Sequence, residues 1–142
     1  MNASNHRLIV LCVDDNEEVL QSLRRELRRG LKGRAKIELC SSAEMALERL
    51  EALPEAARVG IVIVSDWLMP NMRGDEFVRA VNQRYGDLPV VVLSGHISGE
   101  AAEAMRAMPQ VRTIMPKPWP SNALLNQIES TLKLAPTTQD EP

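Results

Sequence analysis

Asp66 closes the apolar run at residues 59–65 and opens the segment Asp66-Trp67-Leu68-Met69-Pro70-Asn71-Met72-Arg73-Gly74. Asp14 and Asp15 end a second apolar run, residues 8–13, and Lys117 follows a third, residues 111–115. Ser94 follows a fourth, residues 89–93. Carboxylates at the ends of separate buried strands, joined by one ammonium, suggest a metal-dependent phosphate site. Two carboxylates about 4 Å apart repel by ~4 kcal/mol at an effective dielectric of about 20, so such a cluster calls for a cation. Oxygen ligands favour a hard ion, and a partly hydrated site facing phosphate favours Mg²⁺ over a caged Ca²⁺. Asp15 and Asp66 are the expected direct ligands, with Asp14 acting directly or through water and the backbone carbonyl of Leu68 as a further oxygen. Asp66 is the expected nucleophile toward a phosphoryl group, and the product is an acyl phosphate. The Lys117 ammonium would pair with one phosphoryl oxygen, and the Ser94 hydroxyl would donate to the same group beside the small Gly95.

Taken singly, each of these residues has a plainer role. The acid pair could cap the first helix, Asp66 could be a turn residue, Lys117 a surface lysine and Ser94 a turn serine. Taken together, they end four different strands. Ligands of parallel sheets collect at the carboxyl ends of the strands, near the switch in strand order.

The elements that would position them alternate along the chain. Residues 8–13 form a continuous apolar run, as expected of a strand buried on both faces. From 16 to 29, Val19, Leu20, Leu23 and Leu27 recur at helical spacing, with Glu17 and Glu18 suited to the first turn and Gly30 and Gly33 ending the helix. Residues 36–40 predict a second strand. Ser41 or Ser42 then caps a helix whose apolar positions are Met45, Leu47 and Leu50, with Pro54 beyond its end. Residues 59–64 are the most β-branched run and predict the central strand. A helix with Phe77, Val78 and Val81 follows Gly74, and a fourth strand opens at Pro89. Ser94-Gly95-His96 predicts a turn, residues 100–108 a short helix, 111–115 a fifth strand and 122–134 a fifth helix with Leu124, Leu125, Ile128 and Leu132 inward. Five β-α units with buried strands imply a parallel sheet with helices on both faces. Residues 1–134 read as one domain, and 135–142 as a disordered tail or the start of a linker.

Composition excludes several classes. The chain has 142 residues, 44% of them hydrophobic, and a net charge of -2, so no strong field draws it to nucleic acid or anionic lipid. Arg24, Arg25, Arg28 and Arg29 interleave with Leu23 and Leu27 and read as a solvated helix face. No run approaches the length of a membrane span, and the short run at 8–13 reads as a strand and not a signal peptide. Cys12 and Cys40 have neither metal-ligand spacing nor disulfide density and read as buried, reduced thiols, which fits a cytoplasmic location. His6 and His96 are expected at the surface, and the seven methionines as core or loop filler.

The pieces Val13-Asp14-Asp15, Ser65 through Gly74, Leu93-Ser94-Gly95 and Lys117-Pro118 together resemble the receiver domain of bacterial two-component response regulators. The resemblance spans roughly residues 6–134. It implies an α/β, flavodoxin-like (βα)5 fold, doubly wound, with a five-stranded parallel sheet in the order 2-1-3-4-5. It implies phosphotransfer from a sensor histidine kinase or a phosphotransfer protein onto Asp66, with Asp14 and Asp15 as the Mg²⁺ pair, Ser94 as the switch hydroxyl and Lys117 as the phosphate-contacting lysine. A cis Lys117-Pro118 bond is also implied. Where many receivers carry Tyr or Phe three residues before the lysine, this chain has Ile114, so a ring-flip readout is not expected. The downstream partner would be an effector or a fused output domain, and such domains commonly pair as homodimers.

Two other readings compete. One is a vestigial receiver acting as a constitutive protein-interaction module, which Ile114 favours and the retained acids and lysine oppose. The other is an aspartyl-nucleophile phosphatase, which needs an acid two residues after the nucleophile. Leu68 occupies that position and cannot transfer a proton. The chain is therefore expected not to be an enzyme beyond its own phosphorylation and slow dephosphorylation.

Overall fold

The computed structural model describes residues 8–95, 99–120 and 122–135. His6, His96 and nearly all of the expected tail lie outside the described residues. The elements run β1 (Ile9–Val13), α1 (Glu17–Leu31), β2 (Lys36–Cys40), α2 (Ala43–Ala52), a 3-10 segment (Glu55–Gly60), β3 (Ile61–Asp66), α3 (Gly74–Tyr85), β4 (Val90–Ser94), α4 (Gly99–Arg106), β5 (Val111–Pro116) and α5 (Ala123–Thr131). All strand pairs are parallel, in the order β2-β1-β3-β4-β5. This is the doubly wound architecture expected from the alternation of apolar runs and helices.

The strand sequences explain why the sheet is covered on both sides. Every residue of β1, β3 and β4 is buried. Alternate side chains point to opposite faces. Ile9, Leu11, Ile61, Ile63, Val90 and Val92 pack with Leu47, Leu50, Phe77, Val81 and Met105 from α2, α3 and α4. Val10, Cys12, Val62, Val64, Val91 and Leu93 pack with Leu20, Leu23, Leu27, Leu124 and Ile128 from α1 and α5. The edge strands β2 and β5 are only partly covered. Both cysteines are free and buried, and burial pushes the Cys40 thiol up to about 11 and the Cys12 thiol higher still. No helix among the described residues is long and apolar enough to cross a membrane.

Several boundaries differ from the sequence expectation. Val59 is not in the central strand: it is 89% exposed, inside the 3-10 segment. Pro54 starts that segment, and Arg58 pins it by donating to the carbonyls of Leu50 and Leu53 at the end of α2. β3 is instead extended at its other end, through Ser65 and Asp66. Met45 is exposed because the inward stripe of α2 is Ala43, Ala46, Leu47 and Leu50. α4 and α5 end earlier than expected, and Leu132, beyond the end of α5, is only partly buried. Ser94, expected in a turn, is instead the last residue of β4.

Gly30 does not end α1. It lies inside the helix, buried, and a Cβ there would fall 2.5 Å from Leu125 Cδ2 of α5. The helix stops instead at Lys32 and Gly33, both with positive φ. Gly30 is therefore a contact between helices, which local periodicity cannot distinguish from a stop signal. Gly30→Val is expected to destabilise the fold by ~1–3 kcal/mol through overpacking, read as a lower urea midpoint. Pairing it with Leu125→Ala should recover part of the loss.

Candidate functional site

The carboxyl ends of β1, β3 and β5 bring Asp14, Asp15, Asp66 and Lys117 into one cluster. Asp14 is buried, directly after β1, with its N–H donating to Cys40 O at 3.1 Å. Its Oδ1 accepts from Asn16 N–H at 2.9 Å, which folds the chain into the first turn of α1. Asn16, not the acid pair, caps that helix: its side chain accepts from Glu18 N–H and Val19 N–H. The acids are thereby left for other work. The cap was readable as an Asn directly before two glutamates, but the neighbouring acids offered the same signal.

Asp66 ends β3 and is 7% exposed. Asp14, Asp15 and Asp66 each offer a carboxylate oxygen, and these oxygens lie within 4.8 Å of one another. Asp15 is exposed and opens the cluster to water. Lys117 reaches in from the end of β5 and donates to Asp14 Oδ2 at 2.8 Å and to Asp66 Oδ1 at 2.9 Å. Its bond to Pro118 is cis. Ser94 ends β4 one residue past Leu93, the sheet partner of Asp66, and is buried. Ile114 is half-buried against the core cluster that contains Met105 of α4.

The loop after Asp66 is tied down by backbone contacts. Trp67 N–H donates to Leu93 O at 3.1 Å, and Gly74 N–H donates to Trp67 O at 2.7 Å. A Cβ at position 74 would sit 3.1 Å from Trp67 Cα, so a glycine lets the loop close. Leu68 turns outward, 58% exposed, and its backbone amide favours the charged form of the Asp66 carboxyl. The sequence reading missed a clasp here. Buried Asp75 holds both Arg73 and Arg79, and Arg73 lies 5.9 Å over the Trp67 ring. Burial opposes the Asp75 charge, yet the two arginines outweigh it and hold its carboxyl below the usual range.

Three carboxylates and one ammonium leave two negative charges in the cluster. The donors are all hard oxygens, with one ligand open to water, which fits a partly hydrated divalent ion such as Mg²⁺. Burial raises the Asp66 carboxyl above the usual range. The hydrogen bond from Lys117 opposes that, Asp14 adds to it, and the net direction is upward. For Lys117, burial would lower the ammonium, but the hydrogen bonds and charges of Asp14 and Asp66 outweigh it and raise it.

The family profile described as "Response regulator receiver domain" matches residues 10–129. The chain belongs to this family. It is 31% identical over 126 residues to the C4-dicarboxylate transport transcriptional regulatory protein DctD of Pseudomonas aeruginosa, covering 88% of this chain and 25% of that protein. It is 32% identical over 126 residues to the response regulator MprA of Mycobacterium leprae, covering 87% of this chain and 50% of that protein. The chain thus spans a quarter to a half of the length of these curated relatives. Among solved structures, the signal receiver domain of an HD domain-containing protein from Pseudomonas fluorescens has the same fold, with a TM-score of 0.78 at 21% identity over 90% of this chain and 96% of that one. The chemotaxis response regulator CheY4 of Vibrio cholerae gives a TM-score of 0.72 at 28% identity, over 88% of this chain and 98% of that one. The receiver fold expected from the motifs is therefore the fold observed, with the same strand order.

A proton binds Asp66 more tightly in the folded chain than in the unfolded one. Ionising it therefore removes stability that is intact below the ordinary carboxylate pKa and lost as pH rises through the raised value. In metal-free buffer, Asp66→Asn is expected to melt above wild type at neutral pH, by a margin that closes as pH falls below about 4. Melting curves across that range check this; a margin that ignores pH contradicts the proposed charge balance.

Proposed function

We propose that Asp66 is the phosphoacceptor of a two-component signalling receiver. The observation that carries this reading is the cluster itself: three carboxylate oxygens within 4.8 Å, with the Lys117 ammonium bonded to two of the groups. An Asp66 oxygen attacks phosphorus, the bond from phosphorus to the donor breaks, and the leaving group departs with the electron pair and takes up a proton. The product is an aspartyl acyl phosphate. From a sensor histidine kinase or a phosphotransfer protein, the leaving group is an imidazole.

Mg²⁺ would be held by Asp15 and Asp66, by Asp14 directly or through water, and by the Leu68 carbonyl, and when bound it neutralises charge on the phosphoryl oxygens. Lys117 turns from the carboxylates to a phosphoryl oxygen. The Ser94 hydroxyl, at the adjacent strand end, donates to another. These added acceptors draw β4 and β5 toward Asp66 and change the surface beyond them, which an effector or a fused output domain reads. With Ile114 in place of a ring, the readout is repacking of an aliphatic side chain. Signalling of this kind belongs in the cytoplasm and involves no nucleic acid contact by this domain. Chemistry ends at the domain's own phosphorylation and slow dephosphorylation; exposed Leu68, where a phosphatase would need an acid, supports this.

Acetyl phosphate with Mg²⁺ is expected to add one phosphate, seen by intact-mass measurement, and Asp66→Asn should take none. Undiminished labelling of that variant would refute the assignment. Trp67 follows Asp66 directly and is expected to change fluorescence on Mg²⁺ titration. A flat response up to tens of millimolar supports the rival reading, a vestigial receiver that binds partners constitutively.

A further inference from the structure

Beyond Pro116 the chain leaves the sheet, and among the described residues the next helix begins at Ala123. The backbone bond that closes this connection runs from Ala123 N–H to Pro120 O at 3.1 Å. Side chains hold the part nearer the site. Lys117 is gripped by Asp14 and Asp66. Two residues on, the Trp119 indole Nε1 donates to Glu26 Oε1 of α1 at 3.0 Å, and the half-buried ring packs against the core cluster of α1 and α5. Lys117 therefore lies close to a second anchor, set on the helix that begins just after Asp15.

The polar part of that anchor carries a cost to stability. Glu26 Oε2 is buried with no hydrogen-bond partner. A buried acceptor left unpaired is destabilising, and an apolar pair of similar shape would cost the fold less. A contact that the fold could replace at a gain points to a positional role.

We propose that the Glu26–Trp119 hydrogen bond is a strap that fixes the reach of Lys117, making both residues positioning residues for phosphoryl acceptance. This rests on the reading of Asp66 as the phosphoacceptor. The ammonium starts bonded to two carboxylates and has to turn toward an incoming phosphoryl oxygen. With the strap in place the backbone at residue 117 stays still while the side chain turns. Without it the loop follows the ammonium toward the carboxylates, and small errors of placement cost rate.

The test compares wild type, Glu26→Gln and the double variant Glu26→Leu with Trp119→Phe. Three quantities are read: melting temperature, the rate of Mg²⁺-dependent phosphorylation by acetyl phosphate, and hydrogen exchange of the Lys117 amide. Glu26→Gln keeps an acceptor and is expected to stay within about twofold of wild type in rate. The double variant should melt at or above wild type, yet be phosphorylated roughly tenfold more slowly and exchange roughly tenfold faster at Lys117. An unchanged rate or an unchanged exchange in the double variant overturns the strap. So does a double variant that fails to fold, because the contact is then a stability device. If wild type itself takes no phosphate, the phosphoacceptor reading fails, and Lys117 exchange still decides whether the strap holds the loop.

Discussion

Three carboxylates from two strand ends share a space less than 5 Å across, and the Lys117 ammonium between Asp14 and Asp66 is what the chain itself sets against their repulsion. Much of the rest follows from having to hold that arrangement. The acids must be partly desolvated, or the field between them is too weak to act on a cation or a phosphoryl group. They must also be rigid, or they relax apart. Buried β1 and β3, paired directly with each other, supply both conditions for Asp14 and Asp66.

The charge balance also shows why one ammonium is not enough. Two negative charges remain, and the Asp66 carboxyl stays raised despite Lys117. Uncompensated charge on hard oxygen donors fits a divalent cation. Asp15 has the complementary property: it is exposed, so the open side of the cluster keeps water available to a hard ion.

Around the site, loops are held by specific local contacts and not by further sheet. Gly74 closes the loop after Asp66 against Trp67. Arg73 and Arg79 converge on Asp75 at the start of α3. Trp119 ties the Lys117 connection to Glu26. The first and last of these act in connections outside helix and strand, while the Asp75 contacts lock the loop onto the first turns of α3.

The sequence by itself determined the order of elements, the burial of the central strands and the candidate residues Asp14, Asp15, Asp66, Ser94 and Lys117. Continuous β-branched runs and helical periodicity are local signals, and strand ends in a parallel sheet must gather ligands on one edge. Only the tertiary structure decided that Gly30 is a packing contact with Leu125, that Val59 leaves the sheet, that Asn16 takes the cap from the neighbouring acids, and that Glu26 meets Trp119. Each of these depends on a partner distant in sequence or on competition between near-equivalent neighbours. Periodicity records which face a residue prefers, but not which atoms of another element arrive there.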